Sequence, residues 1–180
     1  MNLLINGSNR EKNCFNILKA IQKKDDELVS LARQDIKFCL GCNACVRRLD
    51  NLCVLNDYIT TNIYEKILAS EKIILASPLY MSQISGLLKN LIDRLNPFYN
   101  HQLLKDKKIY LILVGQGSYE DNKEEINGII KWLSGVSEWF SFSFQFLEYF
   151  CSGDINTIND VTKNDKDYIN KIDKIKEKLT

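Results

Sequence analysis

The sequence predicts an α/β protein built on a doubly wound, five-stranded parallel sheet of order 2-1-3-4-5, with helices on both faces. Two observations, joined by one rule of chain connection, predict it. Short apolar runs alternate with segments of helical period, in the order β-α-β-loop-α-β-α-β-α-β-α. Strands separated by helices join through crossovers into a parallel sheet that the helices cover. Several of the runs are apolar at every position, as strands buried on both faces must be.

Each element has its own signal. Leu3, Leu4 and Ile5 form the first strand, ended by Asn6-Gly7-Ser8. Asn13 is placed to cap a helix with Ile17, Leu18 and Ile21 on its apolar face. Residues 27–31 read as a weaker second strand. Residues 32–56 have no period and contain four cysteines; loops that long are uncommon and usually functional. Asp57 is placed to cap a helix carrying Ile59, Ile63, Ile67 and Leu68. Residues 73–76 form the third strand, stopped by Ser77-Pro78. Leu87, Leu88, Leu91, Ile92 and Leu95 repeat at helical spacing up to Pro97. Residues 109–114 form a fully buried strand that ends at Gly115-Gln116-Gly117. Ile126, Ile129, Ile130, Leu133 and Val136 mark a long helix. Phe140, Phe142, Phe144 and Phe146 alternate with polar residues, a period of two that suits an edge strand. Tyr168, Ile172, Ile175 and Leu179 mark a last helix.

The 180 residues are expected to form one domain, 1–180, with a cysteine-rich loop at about 32–56. A hydrophobic fraction of 45% and a charged fraction of 26% exclude disorder. A net charge of +1 gives no drive toward nucleic acid or anionic membrane. No apolar run is long enough for a membrane span. The N-terminus lacks a charged segment before an apolar stretch, so no signal peptide is expected and the expected location is cytoplasmic. In that compartment disulfides are disfavoured.

In such a sheet, ligands bind where the strands end. After the first strand come Gly7-Ser8-Asn9-Arg10-Glu11-Lys12-Asn13-Cys14. Gly7 allows a tight turn, Ser8 offers a hydroxyl, Arg10 a charged fork, and the next helix its free amides, which together suit a phosphate. The segment is neither a Walker loop nor a dinucleotide fingerprint. After the third strand, Pro78 pre-sets a turn, and Leu79 and Tyr80 offer an apolar wall to a flat ring. Lys89, Asp93 and Arg94 read as the polar side of the following helix, with Lys89 and Asp93 a solvated pair.

Cys39-x2-Cys42-x2-Cys45-x7-Cys53 is the most informative local pattern. Four thiolates at short spacing suit an iron–sulfur cluster. Zinc and free or redox-active thiols are the alternatives. Arg47 and Arg48 read as solvated charges, and Cys14 and Cys151 as unpaired packing residues. His101 is the only histidine, and no hydrolase motif is present, so hydrolytic chemistry is disfavoured.

GSNREKNC at 7–14, SPLYxxxxSGLLKxxIDRL at 77–95 and CLGCNAC at 39–45 resemble the flavodoxin-like NAD(P)H-dependent FMN reductase family, and within it the iron–sulfur flavoproteins. The resemblance covers residues 2 to about 118. It implies that Ser8, Arg10, Asn13 and Cys14 hold the FMN phosphate, with Phe15 also against the flavin. The family usually has Thr or Ser where Cys14 stands, and a thiol is the weaker donor. Pro78, Leu79 and Tyr80 would run along the isoalloxazine ring, and Gly115, Gln116 and Gly117 would meet its pyrimidine edge. Cys39, Cys42, Cys45 and Cys53 would bind a 4Fe–4S cluster. The implied activity moves electrons between NAD(P)H or a reduced carrier, FMN and the cluster, with no acid–base side chain assigned to catalysis. Implied partners are a small-molecule or redox-protein electron donor and acceptor, and a second copy in a homodimer or higher homo-oligomer. A pure electron carrier, and an FMN reductase whose cysteine loop holds zinc or stays as free thiols, are the other readings.

Overall fold

The computed structural model describes residues 1–48, 53–154 and 156–180. Five strands form the main sheet: β1 Asn2–Asn6, β2 Glu27–Ser30, β3 Lys72–Tyr80, β4 Lys108–Gly115 and β5 Ser143–Cys151. They lie in the order β2-β1-β3-β4-β5, every neighbouring pair parallel. This is the expected doubly wound order. A two-residue arm, Gln83–Ile84, folds back antiparallel onto the end of β3. The helices are α1 Asn13–Ile21, α2 Ala44–Arg47, α3 Tyr64–Ala69, α4 Gly86–Asp93, α5 Lys123–Phe140, α6 Val161–Asn164 and α7 Tyr168–Lys178, with a π-helical turn Ile59–Ile63 leading into α3.

Alternate residues of the same strands build two cores. Leu3, Ile5, Ile73, Leu75, Ile109, Leu111 and Leu113 pack with the apolar residues of α3, α4 and α5. Leu4, Ile74, Ala76, Tyr110, Ile112 and Val114 pack with those of α1 and α7. Burial on both sides explains why β1, β3 and β4 are unbroken apolar runs. Among the described residues, no helix is long and apolar enough to cross a membrane.

The structure corrects the sequence reading at several places. β3 does not stop at Ser77-Pro78 but runs on to Tyr80, with Pro78 opposite Val114. The last rung between β1 and β3 is Asn6 against Ala76, so one flank of β3 is already open at Pro78, where a missing N–H is tolerated. Asn13 does not cap α1; it is the first helical residue, and the Lys12 cap position makes no side-chain hydrogen bond. Leu68 is exposed, while Ile59, Ile63 and Ile67 are buried. Phe140 ends α5 and Phe142 lies in the turn after it, so the last strand begins only at Ser143. Between β4 and β5 the register slips after Leu111: Leu111 and Ile112 of β4 face Phe146 and Glu148 of β5 and leave Leu147 as an extra residue. That bulge reverses the side on which later residues fall. Phe144 and Phe146 lie on the α5 face, then Leu147 and Phe150 on the α1 face, and Tyr149 back on the α5 face. The cysteine-rich loop contains the single turn α2; its residues 49–52 lie outside the described residues.

Met81 and Ser82 join β3 to its antiparallel arm with φ of 47° and 62°, and Tyr80 pairs with Gln83 across the turn. A hairpin with two left-handed residues favours Asn-Gly. Replacing Met81-Ser82 by Asn-Gly should therefore stabilise the protein by about 1–2 kcal/mol. Urea unfolding of the two proteins checks this.

Candidate flavin cleft and cysteine cavity

A cleft of about 530 Å³ opens where β1, β3 and β4 end. That volume suits a cofactor-sized ligand. Of the residues named from the sequence, Ser8, Arg10, Asn13, Cys14, Pro78, Leu79, Tyr80, Gly115 and Gln116 line it. Phe15 and Gly117 do not.

The first loop is shaped from beneath by Asn6, which is fully buried. Its side-chain oxygen accepts from the Ser8 amide at 3.2 Å, and its nitrogen donates to the Arg10 carbonyl and to Ser30 Oγ. The Ser8 hydroxyl accepts from the Arg10 amide at 3.2 Å. Arg10, Lys12 and the uncapped start of α1 meet at this end of the cleft. Two cations and the amides of a helix start that has no side-chain cap fit a phosphate dianion. Cys14 also lines the cleft, but burial pushes its thiol up to about 12, so it stays protonated and neutral.

The second loop is tied to the first through Ser85, the cap of α4. Its hydroxyl accepts from the Leu88 amide and donates to the Gly7 carbonyl. Gly7 has no room for a side chain, since a Cβ would lie 2.8 Å from Leu88 Cβ.

Tyr149 supports the third loop. Its hydroxyl faces the Gln116 and Gly117 carbonyls, each at 3.0 Å, and accepts from Asn122. Burial raises its pKa, so it remains a neutral donor. A Cβ on Gly115 would come within 2.7 Å of that hydroxyl, which is why glycine stands there.

A fourth wall carried no pattern in the sequence. Ser152, Ile158 and Asn159 close the cleft. Asn13 is engaged here: its amide donates to Asn159 at 2.5 Å and its oxygen accepts from the Val161 amide. It tethers the segment after β5, and its side chain is not directed to an anion alone.

Cys39, Cys42, Cys45 and Cys53 line a second, small cavity together with Asn96. Cys39 and Cys42 are exposed, Cys45 and Cys53 half-buried. Gly41 and Asn43 adopt φ of 60° and 54°, left-handed turns that curl the loop around the cavity. Among the described residues, no three His, Cys, Asp or Glu side chains are grouped to hold a single metal ion. Four thiols without imidazole or carboxylate fit an iron–sulfur cluster in their chemistry.

The loop is anchored to the end of α4. Lys89 and Asp93 form the expected exposed pair at 2.6 Å, but Arg94 does not share their polar side. Arg94 is 1% exposed and grips Asp57 with both terminal nitrogens, at 2.8 and 3.1 Å. Arg94 and Asn90 both donate to the Lys37 carbonyl, and Asn90 accepts from the Cys39 amide. Asp57 accepts from the Lys37 amide at 2.9 Å. Asn96 donates to Cys45 Sγ at 3.3 Å. Burial alone would raise the Asp57 pKa; the hydrogen bonds from Arg94, Lys37 and Thr60 outweigh it and hold the carboxyl below its usual range. The Nε of Arg94 is buried with no hydrogen-bond partner among the described residues.

The sequence profile of the NADPH-dependent FMN reductases matches residues 2–124. The chain belongs to that family. This FMN reductase family member is 31% identical over 137 residues to an iron–sulfur flavoprotein of Methanosarcina thermophila, covering 72% of this chain and 70% of the relative. It is 33% identical over 98 residues to one of Archaeoglobus fulgidus, covering 51% of this chain and 47% of that relative. The chain thus spans about half the length of the latter. Among solved structures, the Trp repressor binding protein of Bacillus subtilis superposes with a TM-score of 0.65 at 21% identity, covering 100% of this chain and 98% of the other. An FMN-dependent NADH-azoreductase of Bacillus anthracis in complex with FMN superposes with a TM-score of 0.64 at 12% identity, covering 99% and 98%. These two likenesses establish the flavodoxin-like fold of this family member.

Proposed function

We propose that the protein is an FMN-dependent oxidoreductase that passes electrons between NAD(P)H or a reduced carrier, FMN and a 4Fe–4S cluster on Cys39, Cys42, Cys45 and Cys53. The observation that carries this reading is the pairing of two sites on one helix. The cap of α4 is bonded to the loop at the phosphate end of the cleft, and its far end holds the cysteine loop. The iron–sulfur flavoprotein names of the relatives support the cluster.

FMN supplies hydride and electron transfer when bound. Arg10, Lys12 and the start of α1 bind its phosphate. Pro78, Leu79 and Tyr80 face the ring, and Tyr149 holds the Gln116 and Gly117 carbonyls in place beside the third loop. The four cysteines bind the cluster as thiolates. The protein works in the cytoplasm as a homodimer or larger homo-oligomer, with a small molecule or redox protein as donor and acceptor.

Protein purified without oxygen should hold about four irons, four sulfides and one FMN per chain. FMN without iron, or zinc in its place, would remove the cluster. Rapid mixing with NADH and NADPH should bleach the flavin; no bleaching would leave an electron carrier. Sedimentation of the holoprotein should show a dimer or larger, and a monomer would reject the assembly. Arg10→Ala should weaken FMN about 10- to 100-fold, since the lost contact is a charge-assisted one. Fluorescence titration of the apoprotein with FMN reads this directly.

A further inference from the structure

Asn96 stands apart from the cysteine motif in sequence, yet it lines the same cavity as all four thiols. Its amide nitrogen lies 3.3 Å from Cys45 Sγ and donates to it. The side chain starts from a fixed backbone. Leu95 and Phe98 are buried on either side, and Pro97 restricts the turn between them. Phe98 packs edge-on to Tyr64 with ring centroids 4.8 Å apart, and the Tyr64 hydroxyl donates to the Arg94 carbonyl. An N–H directed at a cysteine sulfur responds to the charge on it.

We propose that Asn96 is a positioning residue that acts through Cys45 to raise the reduction potential of the cluster, an inference that rests on the cluster reading above. Reduction adds one electron to the cluster and breaks no bond to the protein. The added negative charge is shared with the cysteine sulfurs, so the amide hydrogen bond strengthens and the reduced form is favoured. Hydrogen bonds to the sulfurs are one of the general controls on such potentials. The buried Arg94 sits behind the same loop, but it also carries the fold, so Asn96 is the position at which the effect separates from stability.

The test is a mediator titration with dithionite as the reductant, followed by electron paramagnetic resonance, on anaerobic wild type, Asn96→Leu and Asn96→Asp. Leucine removes the donor without adding charge. Aspartate keeps the shape but replaces the donor with an acceptor. The leucine variant should shift the cluster's reduction equilibrium about threefold to tenfold toward the oxidised form, at most about 59 mV for one electron. The aspartate variant should shift it further in the same direction. The FMN content should not change, since Asn96 does not line the flavin cleft. Iron-loaded variants with the wild-type potential would overturn the inference and leave the cluster reading intact. Wild type without iron would overturn the cluster reading itself. Should neither variant load iron, spin-echo modulation on the reduced wild type decides. Labelling with 15N-asparagine should give a coupling to the cluster, and its absence would overturn the proposal.

Discussion

Arg94→Met is expected to lower the unfolding free energy by about 3–5 kcal/mol, because it leaves the Asp57 carboxylate buried without its cation. For a chain of this length that is a fall in Tm of about 6–20 °C. The effect belongs to the pair and not to the arginine alone. The double variant Asp57→Leu with Arg94→Met removes both charges and should recover much of the loss. A double variant no better than the single would mean that the carbonyl of Lys37, which Arg94 also holds, dominates the cost. The pair also sets a pH dependence. The folded pKa of Asp57 is depressed, so its contribution is full above the ordinary carboxylate pKa and is lost as pH falls through the lower, folded value. Acid should therefore destabilise wild type more than the double variant. Urea unfolding at neutral and acidic pH checks both statements.

With the proposed cluster on Cys39, Cys42, Cys45 and Cys53, Cys42→Ser is expected to remove the iron while leaving FMN in place. Cys42 is exposed and its side chain supports no core contact, so in the cluster-free chain the substitution itself should change stability by no more than about 0.5 kcal/mol. The flavin cleft is lined by other loops and should bind one FMN as before. Iron per chain should fall from about four to well below one, with loss of the broad visible absorption that the cluster adds to the flavin bands. Full iron content in this variant would show that Cys42 is not a ligand. Loss of both iron and FMN would show that the cysteine loop, through α4, shapes the flavin cleft as well.

The family and its fold were legible because they rest on local chemistry. Apolar runs buried on both faces reveal β1, β3 and β4, and the turn residues after them reveal where ligands meet the sheet. The cysteine spacing is visible because all four lie within one short segment. Arg94 shows the limit of such reading. By helical period it shares the polar face with Lys89 and Asp93, yet α4 ends at Asp93, and the chain turns there to bury the guanidinium against Asp57. Asn6 and Asn13 look like a turn and a cap, and become a loop brace and a tether only because Ser30 and Asn159 arrive from far along the chain.

What the sequence by itself determined is the doubly wound architecture and the set of residues at the strand ends, since period, turn chemistry and cysteine spacing are properties of neighbours in the chain. Tertiary structure alone decided how those residues are held. The bulge that turns Tyr149 toward Gly115, the closing wall around Asn159, and the meeting of Asp57, Asn90, Arg94 and Asn96 behind the cysteine loop all join segments distant in sequence. No local pattern records such contacts, because their energy comes from desolvation and charge pairing that exist only once the core has closed.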